Sequence, residues 1–109
     1  MNPPAGSSDR FRVRFTEDAE ADLLRLYEHL LERDPEGNSA ERALESIVQG
    51  IELLKRFPYT CRKALSDNPY LRELLISFGK SGYVALFEIE ADAVVTVLAV
   101  RHQRESDYH

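Results

Sequence analysis

The densest chemistry of this 109-residue chain follows one apolar stretch near its C-terminus. Residues 94–100 are mostly β-branched and apolar, which predicts an interior strand covered on both faces. The polar residues that follow include cations, imidazoles and a phenol: Arg101, His102, Gln103, Arg104, Glu105, Asp107, Tyr108 and His109. A rigid strand that ends in such side chains can position a reactive site. The alternative is a solvated terminal tail.

Proton transfer and the binding of an anion such as phosphate are the kinds of chemistry that these residues could support. Imidazole can exchange protons near neutral pH, so His102 is a candidate acid or base. Arg72 and Arg104 can bind phosphate, and Tyr108 offers a phenol. Each candidate also has a structural interpretation. An arginine can form an ion pair or a backbone contact, the imidazole of His102 can be a packed side chain, and Tyr108 lies at a terminus that can be frayed.

Composition narrows the class of protein. The formal net charge of −5 argues against a bulk electrostatic grip on nucleic acid. The single Cys61 excludes an internal disulfide framework and a cysteine-based zinc site. No metal-ligand set and no nucleotide-binding glycine motif is visible, so we predict neither a metal nor a cofactor.

The same features predict a location in the cell. A single cysteine is typical of a protein in the reducing cytoplasm. The N-terminal residues lack the apolar core of a signal peptide, and no run is long enough to span a bilayer. We therefore expect a cytoplasmic protein without a membrane partner.

The periodicity of apolar residues predicts one α+β domain over residues 10–109, preceded by a disordered Pro-, Gly- and Ser-rich tail over residues 1–9. The order is an N-terminal strand, an antiparallel two-helix hairpin and a three-stranded antiparallel meander, β-α-α-β-β-β. The predicted strands cover residues 10–15, 70–78, 83–90 and the stretch from 94, the predicted helices cover 17–33 and 39–57, and 59–69 is a predicted loop. Gly50 in the second helix suggests close packing against the first helix.

One helical hairpin covers only one face of such a sheet. The apolar residues assigned to the opposite, open face are Leu71, Leu75, Val84, Leu86, Val95 and Val97. Uncovered apolar surface indicates a partner, which can bind as an added strand or as a helix in a groove. The alternatives are self-association and shielding by the C-terminal tail.

The chain resembles the RelE/ParE family of bacterial type II toxins over almost its whole length, from Phe11 to Tyr108. The segments that carry the resemblance are F-R-V-R-F-T-E-D-A-E-A-D-L, F-P-Y-T-C-R, L-R-E-L-L-I, Y-V-A-L-F-E-I and V-V-T-V-L-A-V-R-H-Q-R. Their order and spacing are more specific than any one of them, and the closing segment is the most telling. The resemblance implies a toxin neutralised by a cognate antitoxin in a hetero-oligomer, with the antitoxin on the open face.

The resemblance leaves two mechanisms open. RelE-like members cleave mRNA on the ribosome, and the catalytic residues would then be Arg72, His102, Arg104 and Tyr108. ParE-like members inhibit DNA gyrase and are not known to use catalytic residues of their own. The acidic charge and the lack of a lysine pair on the sheet favour gyrase. A third possibility is an interaction module without toxicity.

Other residues are expected to contact the target or the antitoxin. They are Arg62, Arg101, Leu75, Val84, Leu86 and Val97. Arg62 resembles the arginine of a glycine-arginine turn in the family, with Cys61 at the position of the glycine. Arg101 precedes the candidate histidine at the end of the last strand.

Overall fold

The computed structural model describes residues 10–104; the predicted disordered tail and Tyr108 lie outside the described residues. The strands are β1 (Arg12–Phe15), β2 (Arg62–Leu65), β3 (Asn68–Phe78), β4 (Ser81–Glu90) and β5 (Val94–His102), and the helices are α1 (Glu17–Arg33) and α2 (Ser39–Glu52). The five strands form one sheet in the order β1-β5-β4-β3-β2. The predicted α+β class and the antiparallel meander are confirmed.

β5 lies inside the sheet, as its apolar sequence predicts. It pairs antiparallel with β4 on one side and parallel with β1 on the other, where Phe15 lies opposite Val97. β1 ends there, and α1 begins two residues later. The second half of β5 therefore has an edge without a strand partner in this sheet, and α1 runs beside it.

Thr16 ties the start of α1 to that edge. Its hydroxyl oxygen accepts a hydrogen bond from the backbone N–H of Ala19 at 3.0 Å, as expected of an N-cap residue. The hydroxyl also donates to the carbonyl of Leu98 in β5 at 3.3 Å. Acidic residues in the first turn, among them Glu17, suit the positive end of the helix dipole.

The second helix is shorter than predicted. It ends at Glu52, and a 3₁₀ turn over Leu53–Lys55 buries Leu54 completely. Phe57, directly before Pro58, is outside helical geometry at φ −129° and ψ 47°, as expected of a residue before proline. The predicted contact of Gly50 with the first helix is wrong: a Cβ at this position would lie 2.9 Å from Ile76 Cγ1 on β3.

The predicted loop over residues 59–69 contains a strand. β2 pairs antiparallel with β3, placing Arg62 opposite Glu73 and Lys63 opposite Arg72. β2 is a four-residue edge strand with mostly exposed side chains. Its sequence carries no hydrophobic alternation, so only the pairing with β3 makes it a strand.

The core lies between the helices and one face of the sheet, and it corrects the assignment of two valines to the open face. Val95 and Val97 are completely buried in this core, because they lie opposite Ile89 and Phe87 of β4. A register shift in the β4–β5 pair then brings Val100 to the same core face. Val97 is therefore not available to a partner at the surface.

Candidate functional site

Arg72 is held by backbone carbonyls. Its guanidinium donates to the carbonyls of Pro69 at 2.7 Å, Tyr59 at 3.1 Å and Cys61 at 2.7 Å. It also lies over the ring of Tyr59, 5.4 Å from the ring centroid. These contacts fasten the turn before β2 to β3. The predicted phosphate-binding arginine thus has a structural set of partners.

His102 is likewise built into the end of β5. The backbone N–H of Arg104 donates to His102 Nδ1 at 3.1 Å, and His102 Nε2 lies 3.1 Å from Ser81 Oγ. Since Nδ1 accepts, a neutral ring carries its proton on Nε2 and donates to Ser81. The ring packs edge-on against Tyr83, with centroids 5.5 Å apart. Proton transfer at either ring nitrogen would cost one of these hydrogen bonds.

The predicted catalytic residues do not converge. Arg72 lies opposite Phe87 and His102 lies opposite Tyr83, four residues apart on β4. This separation corresponds to about 13 Å along the strands, and β3 and β5 are about 10 Å apart across the sheet. The two side chains therefore start from separate positions on the sheet, and each is held by its own hydrogen bonds. Arg104 does lie next to His102, while Tyr108 is outside the described residues.

His102 and Arg104 instead line a cleft between α1 and the end of the sheet, with a volume of about 680 Å³. We call it the α1–β5 cleft. Its lining residues are Arg25, Leu26, His29, Leu30, Arg33, Phe78, Gly79, Ser81, Tyr83, His102 and Arg104. Three arginines and two histidines face this space, and none of the lining residues within 10–104 is acidic. The cleft can therefore bind an anionic group.

Three of these cations come from α1 and were missed by sequence reasoning. Arg25, His29 and Arg33 follow one another at intervals of four residues, so they lie along one face of the helix. The spacing was the available signal. Polar residues at helical spacing usually mark a solvated helix face, so this spacing alone does not indicate a cleft.

Asp22 connects the cleft to the edge of β5 and was also missed. Its carboxylate is buried and accepts a hydrogen bond from the backbone N–H of Val100 at 3.0 Å, which satisfies part of the edge left by β1. The same carboxylate binds Arg25 at 3.0 Å and lies 3.9 Å from Arg101. Arg101, predicted to contact a partner, is thus directed toward α1.

The open face of the sheet has an aliphatic centre. Leu75, which is 50% exposed, lies opposite Val84, and Leu86 is half-buried on the same face. Val84 itself is buried and offers little area. Glu73 lies opposite Leu86 and binds Arg62 at 2.9 Å, so that arginine is already part of an ion pair. The face is apolar and flanked by paired charges.

The far side of the open face carries another paired charge. Arg14 Nη2 lies 3.2 Å from the carboxylate of Glu90, and the Thr96 hydroxyl donates to the same carboxylate. The Thr96 hydrogen bond and Arg14 hold the pKa of Glu90 below its usual range. Leu75, Val84 and Leu86, which lie between these two ion pairs on the open face, are apolar and offer a phosphate no cation.

Cys61 is half-buried, and burial raises the pKa of its thiol, although the nearby Arg72 guanidinium opposes the shift. A thiol in this state is a packed side chain and a weak nucleophile. Residues 10–104 contain no group of three or more His, Cys, Asp or Glu side chains that could hold a metal ion. Over the same range, no helix is long and apolar enough to cross a membrane.

A second groove runs along the outer side of the helical hairpin, with a volume of about 530 Å³. Its apolar lining includes the exposed Leu24 and Val48, and Glu41 and Glu45 lie at its rim. The Tyr27 hydroxyl donates to Glu41 at 2.8 Å across the two helices, and this hydrogen bond raises the pKa of the phenol. The charge at this groove is opposite in sign to that of the α1–β5 cleft.

Comparisons with known proteins agree on one family. The family model for the ParE toxin of the type II toxin-antitoxin system, parDE, matches residues 13–107. The toxin RelE3 of Caulobacter vibrioides is 38% identical over 87 residues, which cover 80% of this chain and 88% of that toxin. A chain of the chromosomal ParDE toxin–antitoxin system from P. aeruginosa superposes with a TM-score of 0.69, covering 87% of this chain and 98% of that chain at 21% identity. That last likeness concerns the fold alone.

Proposed function

Since this chain belongs to the ParE toxin family of type II toxin–antitoxin systems, we propose that it arrests growth by inhibiting DNA gyrase, without a catalytic site of its own. As the toxin of such a pair, it has an antitoxin as its partner. The proposed setting is the cytoplasm, where the antitoxin holds the toxin in a hetero-oligomer. The proposal extends the family assignment by naming the target.

The separation of Arg72 from His102 is the observation that carries this proposal. A ribonuclease needs its acid, base and phosphate ligands around one phosphate. Here the guanidinium is bound to three carbonyls at one end of β3, and the imidazole is hydrogen-bonded at the far end of β5. The acidic net charge supports the same conclusion, because a ribosome-bound nuclease works among phosphates.

The apolar surfaces support action by binding. Leu75 and Leu86 on the open face, and Leu24 and Val48 on the hairpin, offer apolar area to a protein partner. The antitoxin and the target would compete for, or divide, these surfaces. Inhibition by a toxin that binds gyrase and stabilises its cut-DNA state needs such contact area and no chemistry of its own.

Ribosome-dependent cleavage of mRNA is the second candidate. It is favoured by one observation, the position of His102 beside Arg104 in a cleft that holds further arginines. In that mechanism His102 would transfer the proton and Arg104 would bind the phosphate. Arg72 would have no part in it.

Inducible expression of the chain without an antitoxin tests the proposal in cells. We expect growth arrest, loss of plasmid supercoiling and induction of a DNA-damage reporter, while primer extension finds intact mRNA. The matched control is the same vector with an early stop codon. Co-expression of the antitoxin should restore growth.

Two results would contradict the proposal in different ways. Normal growth at a confirmed level of folded protein would indicate an interaction module without toxicity. Growth arrest with unchanged supercoiling and mRNA cuts in phase with codons would indicate the ribosome as the target.

A further inference from the structure

We propose that the groove on the outer side of the helical hairpin is a docking site for a basic amphipathic helix of a partner protein. We call it the hairpin groove; its lining includes Leu24, Leu44 and Val48, with Glu41 and Glu45 at the rim. The inference rests on the proposed function only in that the toxin acts by binding other proteins. It does not rest on gyrase as the target, and it concerns a surface separate from the α1–β5 cleft and from the open face.

Helix α2 has more apolar surface than the core of the protein covers. Its buried stripe includes Ile47 and Ile51. Leu44 and Val48 are four residues apart, so they form a second stripe on a neighbouring face of the helix. Leu44 is 37% exposed and Val48 is 51% exposed, and Leu24 of α1 is 58% exposed in the same groove. Three large aliphatic side chains that share one groove indicate a surface that another element covers.

The size of the groove fits a helix. Residues 41–48 of α2 run about 10 Å along the helix axis, which corresponds to about two turns of a docked helix. The Tyr27 hydroxyl donates to Glu41 at 2.8 Å and ties α1 to α2 beside the apolar side chains. The groove is therefore formed before a partner arrives, and binding orders little of the toxin.

Carboxylates surround these aliphatic side chains. Glu41 and Glu45 line the groove on α2, while Glu20 and Glu28 are four residues before and after Leu24 and lie on the same face of α1. Within residues 10–104 none of these four carboxylates forms an ion pair, and no lysine, arginine or histidine of that range lines the groove. The surface therefore attracts a cationic partner and repels an anionic one.

A second copy of the chain does not match this surface. Two hairpins placed face to face would bring the same carboxylates together. Leu53 and Phe57 are exposed beside cations, but they belong to 3₁₀ turns of three residues, which are too short to fill two helical turns. The segments before residue 10 and after residue 104 contain no lysine or arginine. The cations must therefore come from another protein, on a helix with large aliphatic side chains.

The hairpin groove and the α1–β5 cleft carry opposite charges on different faces of α1. Arg25 and Arg33 line the cleft, whereas Leu24 and its neighbouring carboxylates face the groove. A basic helix has no reason to enter the cleft, because the cleft cations repel it. Binding at the groove should therefore be unaffected by substitutions in the cleft, which gives the experiment an internal control.

Fluorescence anisotropy with designed probes tests the proposal on the whole chain. The probe is a fluorescein-labelled amphipathic peptide of about 12 residues, with leucine on one face and lysine beside it. One matched peptide replaces every lysine with glutamate, and another keeps the lysines and replaces every leucine with serine. We expect the leucine–lysine peptide to bind wild type at least about tenfold more tightly than either control.

Two double variants test the apolar part of the groove. Leu24→Ser with Val48→Ser removes two groove side chains, and Leu65→Ser with Leu75→Ser removes two leucines of similar exposure elsewhere. All four side chains are at least half exposed, so both variants should fold, which thermal unfolding will verify. The groove variant should bind the leucine–lysine peptide about tenfold more weakly, and the control variant should stay within about twofold of wild type.

A second pair of variants tests the charge. Glu28→Gln with Glu45→Gln removes two carboxylates beside the groove, and Glu36→Gln with Asp67→Asn removes the same charge from exposed turns. The groove pair should weaken binding by about fivefold at low salt, and the loss should shrink as salt is added. The turn pair, and Arg33→Gln with Arg104→Gln in the cleft, should stay within about twofold of wild type.

Three results would overturn the proposal. The first is equal binding of the lysine and glutamate peptides, or no binding of either below about 1 mM. The second is a folded Leu24→Ser, Val48→Ser variant that binds the leucine–lysine peptide as wild type does. The third is a free chain that dimerises in sedimentation experiments and becomes monomeric in the same variant, which would assign the groove to a second copy. A failure of the gyrase proposal appears only in supercoiling and leaves these measurements interpretable.

Discussion

The arginines at the two ends of the helix-covered face of the sheet have different partners. At one end Arg72 donates to three backbone carbonyls and lies on the Tyr59 ring. At the other end, Arg33 and Arg104 line an open cleft and form no ion pair within residues 10–104. The residue type is the same, but the acceptors around it decide whether the arginine stabilises the fold or is available to a ligand.

Asp22 lies between the cleft and the edge of β5, and its substitution should lower the free energy of unfolding more than the other substitutions below. Asp22→Ala leaves the buried backbone N–H of Val100 without its acceptor and breaks the ion pair with Arg25. We expect the free energy of unfolding in urea to fall by about 2–3 kcal/mol. Asp22→Asn keeps an acceptor oxygen and should cost about 1 kcal/mol or less.

The same pair of variants sharpens the comparison of the two ends. Asp22→Asn removes the ion pair with Arg25 but keeps an acceptor for the N–H of Val100, so the two variants separate the ion pair from the hydrogen bond. If Asp22→Ala and Asp22→Asn destabilise the protein equally, the hydrogen bond to Val100 is not what the carboxylate provides.

Arg72→Ala should have the next largest effect, about 2 kcal/mol on the free energy of unfolding, since three carbonyls lose a charged donor. The matched control is Arg62→Ala, which removes an exposed ion pair with Glu73 and should cost about 1 kcal/mol or less. Urea unfolding with an unchanged m-value measures both. Equal effects of the two substitutions would refute the structural role of Arg72.

Alkaline pH should weaken the fold through Cys61 and Tyr83. Burial raises the pKa of both groups, so the folded state prefers their protonated forms. The unfolded chain releases these protons first, at the usual pKa values of 9.0 for the thiol and 10.0 for the phenol. The two groups therefore stabilise the fold fully below those values. This stabilisation is lost as pH rises through the raised pKa values of the folded state.

Urea unfolding between pH 8 and 11 should therefore show declining stability, and Cys61→Ser should reduce the slope near pH 9.

The rate of alkylation of Cys61 tests whether the charge of Arg72 acts on the thiol. Arg72 lowers the thiol pKa by its charge, so Arg72→Gln should slow alkylation by iodoacetamide in the folded protein. A faster reaction would mean that the substitution opens the site instead.

The smallest effect on stability is expected at the cleft. Arg33→Gln with Arg104→Gln should change the free energy of unfolding by less than about 0.5 kcal/mol, because both side chains are exposed and form no ion pair within residues 10–104. Thermal unfolding of this double variant and of Arg72→Ala, each against wild type, measures the difference between the two ends directly. A large loss of stability would mean that the cleft arginines are structural too.

The sequence predicted the elements with strong periodicity. Alternation from residue 10 and helical spacing from residue 17 predicted β1 and α1 nearly to their ends. β2 could not be predicted, because its four mostly exposed residues carry no periodic signal and only the pairing with β3 makes them a strand. Val95 and Val97 were assigned to the wrong face because the register of β5 against β4 could not be predicted from the sequence.

The candidate site was predicted less well than the fold. The residue types identified Arg72, His102 and Arg104, but not their acceptors, which come from distant segments of the chain. Asp22 lies in the first segment that carries the resemblance, but its role could not be predicted, because the role depends on an edge of β5 that exists only after β1 has ended. Partners that are distant in sequence are set by topology, and a single sequence does not specify them.

The most direct test of the account is a paired assay on one preparation of purified, antitoxin-free protein. One half follows DNA supercoiling and cleavage by gyrase, and the other follows mRNA on programmed ribosomes. The account predicts lost supercoiling with accumulated cut DNA, and intact mRNA. Codon-phased mRNA cuts with unaffected gyrase would contradict it and would make His102 and Arg104 catalytic candidates despite their hydrogen bonds.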